Sequence, residues 1–209
     1  MRGGSLFSAL LAPLRSALLV AITGFLLASP ALLAQETTVT LDPASTKIDF
    51  TLAATMHTVH GTFKLKSGQI HFNPSTGKAG GAIVVDATTA ETGNSSRDRK
   101  MHQEILESQK FPEITFTPNQ VNGPLAQMFA QQGTSQVELS GVFRLHGQDH
   151  DATLTISVQP GAAGHVDAST TFPVPYVKWG LKNPSTFILH VSDTVDLDIH
   201  ASGKLSPSR

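Results

Sequence analysis

The chain has 209 residues, of which 40% are hydrophobic, and its 15 basic and 16 acidic residues give a formal net charge of −1. This length predicts one domain with a sizeable packed core. The sequence contains no cysteine, which excludes disulfides and cysteine-ligated metal or redox sites.

The first 34 residues have the pattern of a secretory signal peptide. Arg2 and Arg15 precede an apolar run, and small residues follow at Ala31 and Ala34. The run is shorter than the roughly 20 residues of a membrane-spanning helix. We therefore expect cleavage after Ala34 or Ala31, with an uncleaved N-terminal anchor as the alternative.

Cleavage would leave one domain over residues 35–209, without a membrane span, in the periplasm or outside a bacterial cell. That domain would carry 13 basic and 16 acidic residues. A mildly acidic chain has no electrostatic reason to bind nucleic acid, and its net charge does not suggest adhesion to anionic lipid surfaces.

After residue 35, apolar residues alternate with polar or small ones in many short runs. A period of two is typical of strands with one apolar face. The alternating positions are Ile48, Phe50 and Leu52; Phe63 and Leu65; Ile70 and Phe72; Ile83 and Val85; Ile114 and Phe116; Val137, Leu139, Phe143 and Leu145; Leu154, Ile156 and Val158; Phe187, Leu189 and Val191; and Val195, Leu197 and Ile199.

Turn residues separate these runs. Lys66–Gly68 is short enough for a hairpin, and further connections are predicted at Asn73–Gly77, His146–Asp149 and Pro160–Gly164. Many short strands with such links favour antiparallel pairing in a sandwich or barrel. Closure of about eight to ten strands into an up-and-down barrel would remove exposed sheet edges. Such a barrel either fills with its own side chains or holds one ligand.

One segment lacks the strand period and predicts a helix over residues 96–108. Asn94, Ser95 or Ser96 could each cap its start, and Pro112 prevents its continuation. A second, weaker helical turn is predicted at residues 124–131.

Several motifs occur together in one order along the chain. They are Lys47–Phe50 (KIDF), His60–Phe63 (HGTF), Ser67–Ile70 (SGQI), Thr92–Asp98 (TGNSSRD), Phe111–Phe116 (FPEITF) and Leu139–Gly147 (LSGVFRLHG). In this order they resemble the YceI-like family of bacterial secreted lipid-binding proteins, over roughly Leu41 to Lys204. The sequence departs from the family pattern after Asp98 and in a late predicted strand, Tyr176–Leu181 (YVKWGL).

The resemblance implies an all-β fold, an extended lipocalin-like antiparallel up-and-down barrel with one helix at its wall or mouth. It implies that the lumen holds a polyisoprenoid or other amphiphilic chain, such as an isoprenoid quinone or a fatty acid, with no catalytic residue set and no further cofactor. Burial alone could supply the affinity, because each buried methylene contributes about 0.8 kcal/mol. By position we expect these side chains to face the ligand: Phe50, Phe63, Phe72, Ile83, Met101, Ile105, Phe116, Leu139, Phe143 and Ile156.

Arg97 and Asp98 allow two interpretations. Arg97 could meet a polar head group at the barrel mouth. We favour a structural role, in which Asp98 interacts with the positive end of the helix dipole and Arg97 pairs with a carboxylate or the preceding loop.

Two alternative functions remain open. One is a structural or stress-related barrel with a filled core, and the other is a metal- or haem-binding protein that uses some of the nine histidines. An enzyme is not expected, since the chain lacks H-E-x-x-H, G-x-S-x-G and a phosphate-binding glycine loop. The sequence leaves open whether the protein forms a homodimer.

Overall fold

The structure, a computed structural model, describes residues 36–125 and 133–207. The predicted signal peptide and most of the predicted helical turn at residues 124–131 lie outside the described residues. A helix α1 (Ser95–Lys100) continues into a π-helical turn (Met101–Ile105), and a short 3-10 turn covers Ala162–Gly164. The strands are β1 (Thr37–Leu41), β2 (Lys47–Ala53), β3 (Thr58–Phe72), β4 (Ala79–Glu91), β5 (Glu113–Asn122), β6 (Ser135–Leu145), β7 (Gln148–Pro160), β8 (His165–Val174) and β9 (Val195–Pro207).

The strands form one closed antiparallel barrel. Strands β3 to β9 pair with their neighbours in chain order, and β1 and β2 close the circle between β3 and β9. These two short strands occupy a single position in the barrel: β1 pairs with one end of β3 and β2 with the other, and both also pair with β9. The nine strands therefore make an eight-stranded barrel, which confirms the predicted all-β fold class.

The up-and-down order places the connections at two opposite ends of the barrel. The β2–β3, β4–β5, β6–β7 and β8–β9 connections lie at one end, together with α1, and we call it the helix end. The other end holds the β3–β4, β5–β6 and β7–β8 connections. This arrangement decides which side chains can surround an opening of the lumen.

The predicted hairpin turn at Lys66–Gly68 is wrong, because β3 runs through it without interruption. Leu65 pairs with Val85 and Ser67 with Val84, so the register shifts by one residue at this point. A β-bulge of this kind moves the following side chains to the opposite face. It lets Leu65 and Phe72 both point into the barrel, although they are an odd number of residues apart.

The strands predicted at Phe187–Val191 and Tyr176–Leu181 are also wrong. The whole connection over residues 175–194 lies outside the sheet, except for one bridge between Val191 and Ala54. Strands β8 and β9 already pair with each other along their lengths, so the connection between them cannot extend their ladder. It covers the helix end with buried Tyr176 and Leu181 instead.

The helix is shorter than the predicted range of residues 96–108. Asn94 caps it, since its side-chain oxygen accepts hydrogen bonds from the backbone N–H groups of Ser96 and Arg97. The π-helical turn closes with a bond from Leu106 N to Met101 O (2.8 Å). Glu107 then adopts a positive φ of 44°, a conformation that α-helix cannot continue.

Gly141 in β6 is required by the close approach of β5. A Cβ at this position would lie 2.3 Å from the carbonyl oxygen of Thr117 and 2.8 Å from the Cα of Pro118. We expect Gly141→Ala to lower the free energy of unfolding by about 2–3 kcal/mol, as overpacking does in a rigid interior. Urea denaturation would measure this loss. Gly161→Ala is the matched control, because its nearest neighbour would be 3.3 Å away, and an equal loss in both variants would contradict the explanation.

Candidate functional site

The barrel encloses an inner cavity of about 200 Å³. Every one of the eight barrel positions contributes side chains to its wall, and nearly all of these are aliphatic or aromatic. The polar exceptions are the hydroxyl-bearing residues Thr46, Thr115, Ser169 and Thr170, and no charged residue lines the cavity in the described part of the chain. Such a wall offers mainly apolar burial, and among the described residues its four hydroxyls have no acidic or basic side chain beside them on the wall to activate them.

A second, outer cavity of about 500 Å³ lies at the helix end. The β2–β3 turn, α1 with its π-helical turn, and the 175–194 connection form much of its wall. Phe63, Ile114 and Leu197 line both cavities, so the two adjoin. The outer volume falls within the range of about 300–1,000 Å³ that is usual for small-molecule sites.

The outer cavity differs from the inner one in polarity. Alongside apolar residues it is lined by Thr92, Asn94, Ser96, Arg97 and Lys100 from the α1 region and by His57 from the β2–β3 turn. The site thus has an apolar inner end and an outer end that combines apolar and cationic groups.

All ten residues that were expected to face a ligand lie on these walls. Phe63, Phe72, Ile83, Phe116, Leu139, Phe143 and Ile156 line the inner cavity, and Phe50, Phe63, Met101 and Ile105 line the outer one. Their contact with a ligand remains a prediction.

Other wall residues were missed from the sequence. In the inner cavity they include Val39 and Leu41 of β1, whose alternation is too short to stand out, and the small residues Ala168 and Ala201. In the outer cavity they include buried Tyr176, whose segment carries no period that indicates its position.

Tyr176 stabilises the 175–194 connection where it covers the helix end. Its hydroxyl donates a hydrogen bond of 2.7 Å to the carbonyl oxygen of Ser192. Burial, with a smaller effect from the charge of Asp193, raises the pKa of Tyr176 to about 12. The phenol therefore stays protonated and keeps donating this bond at physiological pH.

Arg97 and Asp98 both hold the loop that precedes α1. Asp98 accepts hydrogen bonds from the backbone N–H and hydroxyl of Thr92. The guanidinium of Arg97 donates to the hydroxyl of Thr92 (2.8 Å) and to its carbonyl oxygen (3.0 Å). The structure thus agrees with the structural interpretation, and it also places Arg97 on the wall of the outer cavity.

The histidines that flank the β6–β7 turn interact separately. His146 bonds to the carboxylate of Glu107 through Nε2, and the ring of His150 stacks on Trp179 with centroids 4.4 Å apart. Over residues 36–125 and 133–207, no group of three or more His, Cys, Asp or Glu side chains is placed to hold a metal ion. Among these same residues, no helix is long and apolar enough to cross a membrane.

Comparison with known proteins places this architecture among solved folds. A family model described as the YceI-like domain matches residues 39–202. A polyisoprenoid-binding domain from Saccharophagus degradans is similar with a TM-score of 0.61 at 18% identity, over 80% of this chain and 98% of that one. BcnA from Burkholderia cenocepacia gives 0.61 at 14% identity over 78% and 98%, and a YCEI protein from Campylobacter jejuni gives 0.53 at 18% over 74% and 87%. No curated protein matches significantly, and at these identities the structural likenesses show the fold alone.

Proposed function

Because this chain belongs to the YceI-like domain family, we propose that it carries a long apolar or amphiphilic lipid in its barrel lumen. The observation that carries the proposal is the inner cavity of about 200 Å³, on whose wall the described residues place no charged side chain. The ligand class is a polyisoprenoid, an isoprenoid quinone or a fatty-acid-like chain. It is supported by the similar fold of the Saccharophagus degradans polyisoprenoid-binding domain.

The difference in polarity between the two cavities predicts the orientation of the bound ligand. A hydrocarbon tail gains about 0.8 kcal/mol for each methylene it buries, and among the described residues the inner cavity has no charged side chain that the tail would strip of water. A polar head group suits the outer cavity, where Arg97, Lys100 and the hydroxyl of Ser96 lie. The tail therefore enters first and the head group stays at the helix end.

The same observations favour a carrier over the two alternative functions. A filled-core barrel would leave no space of this size beside Phe63 and Phe143. The wall supplies burial and not a reactive constellation, which supports a binding role over catalysis. The signal-peptide pattern of the first 34 residues supports delivery to the periplasm or the cell exterior, where lipids need a carrier through water.

Native mass spectrometry of residues 35–209, followed by solvent extraction, tests the proposal. We expect a stoichiometric adduct of a few hundred daltons that extracts as an isoprenoid or acyl lipid. A bare polypeptide mass that stays unchanged after incubation with quinones, polyprenols and fatty acids would contradict it. That outcome would favour the filled-core barrel.

This orientation predicts that Lys100 contributes to the affinity for lipids with an anionic head group. We expect Lys100→Gln to weaken binding of geranylgeranyl phosphate about three- to fivefold, the scale of a solvent-exposed ion pair, and to leave geranylgeraniol binding unchanged. Fluorescence titration with both lipids would measure this. Arg99→Gln is the matched control, because Arg99 lies on the same helix but not on the wall of the outer cavity. Equal losses for the two lipids would show that the head group lies elsewhere.

A further inference from the structure

Three large apolar side chains project into solvent at the helix end. Met56 is 80% exposed, Phe187 is 100% exposed and Ile188 is 78% exposed. Single exposed apolar residues are common on protein surfaces, but a group of them at one place marks an interaction site. We call Met56, Phe187 and Ile188 the rim tips.

The rim tips stand on two tight turns. In the first turn, the backbone N–H of Ala54 bonds to the carbonyl oxygen of His57 (3.2 Å), with Met56 between them. In the second, the N–H of Thr186 bonds to the carbonyl of Leu189 (2.8 Å), with Phe187 and Ile188 between them. Each turn thus presents its apolar residues at its outermost positions.

Hydrogen bonds join the two turns into one platform. The N–H of Thr55 bonds to the carbonyl of His190 (2.9 Å), and the N–H of His190 bonds to the hydroxyl of Thr55 (3.1 Å). A backbone bridge pairs Ala54 with Val191 directly beside them. The two turns are therefore already joined in the folded protein, and presenting the rim tips together needs no further loss of conformational entropy.

The platform borders the outer cavity. Ala54 and His57, on either side of the first turn, and Leu189, at the end of the second, all line that cavity. At the same end of the barrel, the ammonium of Lys182 in the 175–194 connection pairs with the carboxylate of Glu104 in the π-helical turn (3.1 Å). A surface that the rim tips touch would consequently face the cavity in which we place the head group.

The charge at the helix end is opposite in sign to that of the rest of the chain. Its four connections, residues 54–57, 92–112, 146–147 and 175–194, carry six Lys or Arg against four Asp or Glu. The other described residues carry six against twelve. Within the described chain, no carboxylate forms a salt bridge with Arg99 or Lys100 of α1. The net charge of the whole chain argues against an anionic lipid surface, but the charge of this end favours one.

We propose that the helix end docks on a phospholipid bilayer containing anionic lipids, with the rim tips inserted between the head groups. Projecting apolar side chains on a face with an excess of cations are the features that bind proteins at a bilayer interface. A second protein would need a concave surface to receive the same tips, whereas a bilayer deforms around them. The role of this docking rests on the proposed carrier function, since it lets a lipid pass between bilayer and outer cavity without crossing water.

Vesicle flotation of residues 35–209 tests the proposal, using phosphatidylcholine vesicles with and without phosphatidylglycerol. We expect binding that strengthens with phosphatidylglycerol, and a loss of about tenfold or more in the double variant Phe187→Ser, Ile188→Ser, because interfacial binding scales with the apolar area inserted. The double variant should keep its thermal stability, since both side chains are exposed. Phe187→Ser combined with Ser75→Phe is the matched control, because it moves an exposed phenylalanine to the β3–β4 turn at the opposite end of the barrel. Its vesicle binding should be as weak as that of Phe187→Ser alone.

A second variant reports directly whether the side chain at position 187 inserts into the bilayer. The emission of Phe187→Trp should shift to the blue on vesicle addition and be quenched by brominated phospholipid. Absence of both effects, or equal flotation of the wild type and the double variant, would overturn the proposal. So would a change in the oligomeric state of the double variant without a change in flotation, which would make the rim tips a contact between copies of the chain.

Lipid binding measured without vesicles separates this proposal from the carrier function. Uptake of geranylgeraniol from dilute solution should be equal in the wild type and the double variant. A wild type that binds this lipid but no vesicles would overturn the docking alone. A wild type that binds vesicles through the rim tips but takes up no lipid would support docking and contradict the carrier function.

Discussion

Ala168→Phe should lower the affinity for a long-chain lipid by about 100-fold or more while the protein stays folded. Ala168 lies on β8 and its side chain lines the inner cavity. A phenylalanine ring there would take the space of several ligand carbons. Loss of four buried methylenes corresponds to about 3 kcal/mol, and each 1.4 kcal/mol changes the dissociation constant about tenfold. Fluorescence titration with geranylgeraniol would measure this loss.

The stability of the same variant tests whether the inner cavity is an open space. A ring that enters an existing cavity causes little strain, whereas overpacking a full core costs about 1–3 kcal/mol. We therefore expect the urea midpoint of the lipid-free variant to stay close to that of the wild type. Ala44→Phe is the matched control, since Ala44 is exposed in the turn between β1 and β2. Unchanged lipid affinity in Ala168→Phe would place the ligand outside the inner cavity.

Phe143→Ala should lower the free energy of unfolding by about 3–4 kcal/mol, the usual cost of removing a buried aromatic ring. Phe143 is 7% exposed, and its ring lies 5.8 Å from Phe172 and 5.3 Å from Trp179 between centroids. It therefore supports the barrel wall and also the 175–194 connection to which Trp179 belongs. Urea denaturation of the lipid-free protein would measure the change.

Phe63→Ala provides the comparison for Phe143→Ala. Phe63 is only partly buried and lines both cavities, and its ring packs on that of Phe50 (5.2 Å between centroids). Phe143 lines the inner cavity alone and is more deeply buried, so its removal takes away more packing. We expect a smaller loss of stability, about 2 kcal/mol or less, and a larger loss of lipid affinity. The reverse ranking of the two variants would mean that Phe143, and not Phe63, makes the main ligand contact.

The inward side of most strands could be predicted because alternation is a local property, whereas the choice of a barrel over a sandwich was implied by the resemblance to the YceI-like family. Ile48 and Phe50 in β2 and Leu139 and Phe143 in β6 show the period of two, and each of them is buried. The cap at Asn94 was likewise readable, although Ser95 and Ser96 were equal candidates, because capping needs only the chemistry of one side chain and the turn that follows it.

The sequence by itself determined that the chain would form antiparallel strands with one apolar face each, and the resemblance carried by its ordered motifs implied a barrel. The tertiary structure decided where alternation does not mean a strand, as at Phe187 and Leu189, because the connection that holds them cannot extend the ladder between β8 and β9. It also decided the bulge at Lys66, which depends on the register between β3 and β4. Above all it decided that two adjoining cavities remain at the lumen and the helix end. The space left in a barrel depends on how side chains from all eight positions pack across it, and a local sequence pattern does not specify that packing.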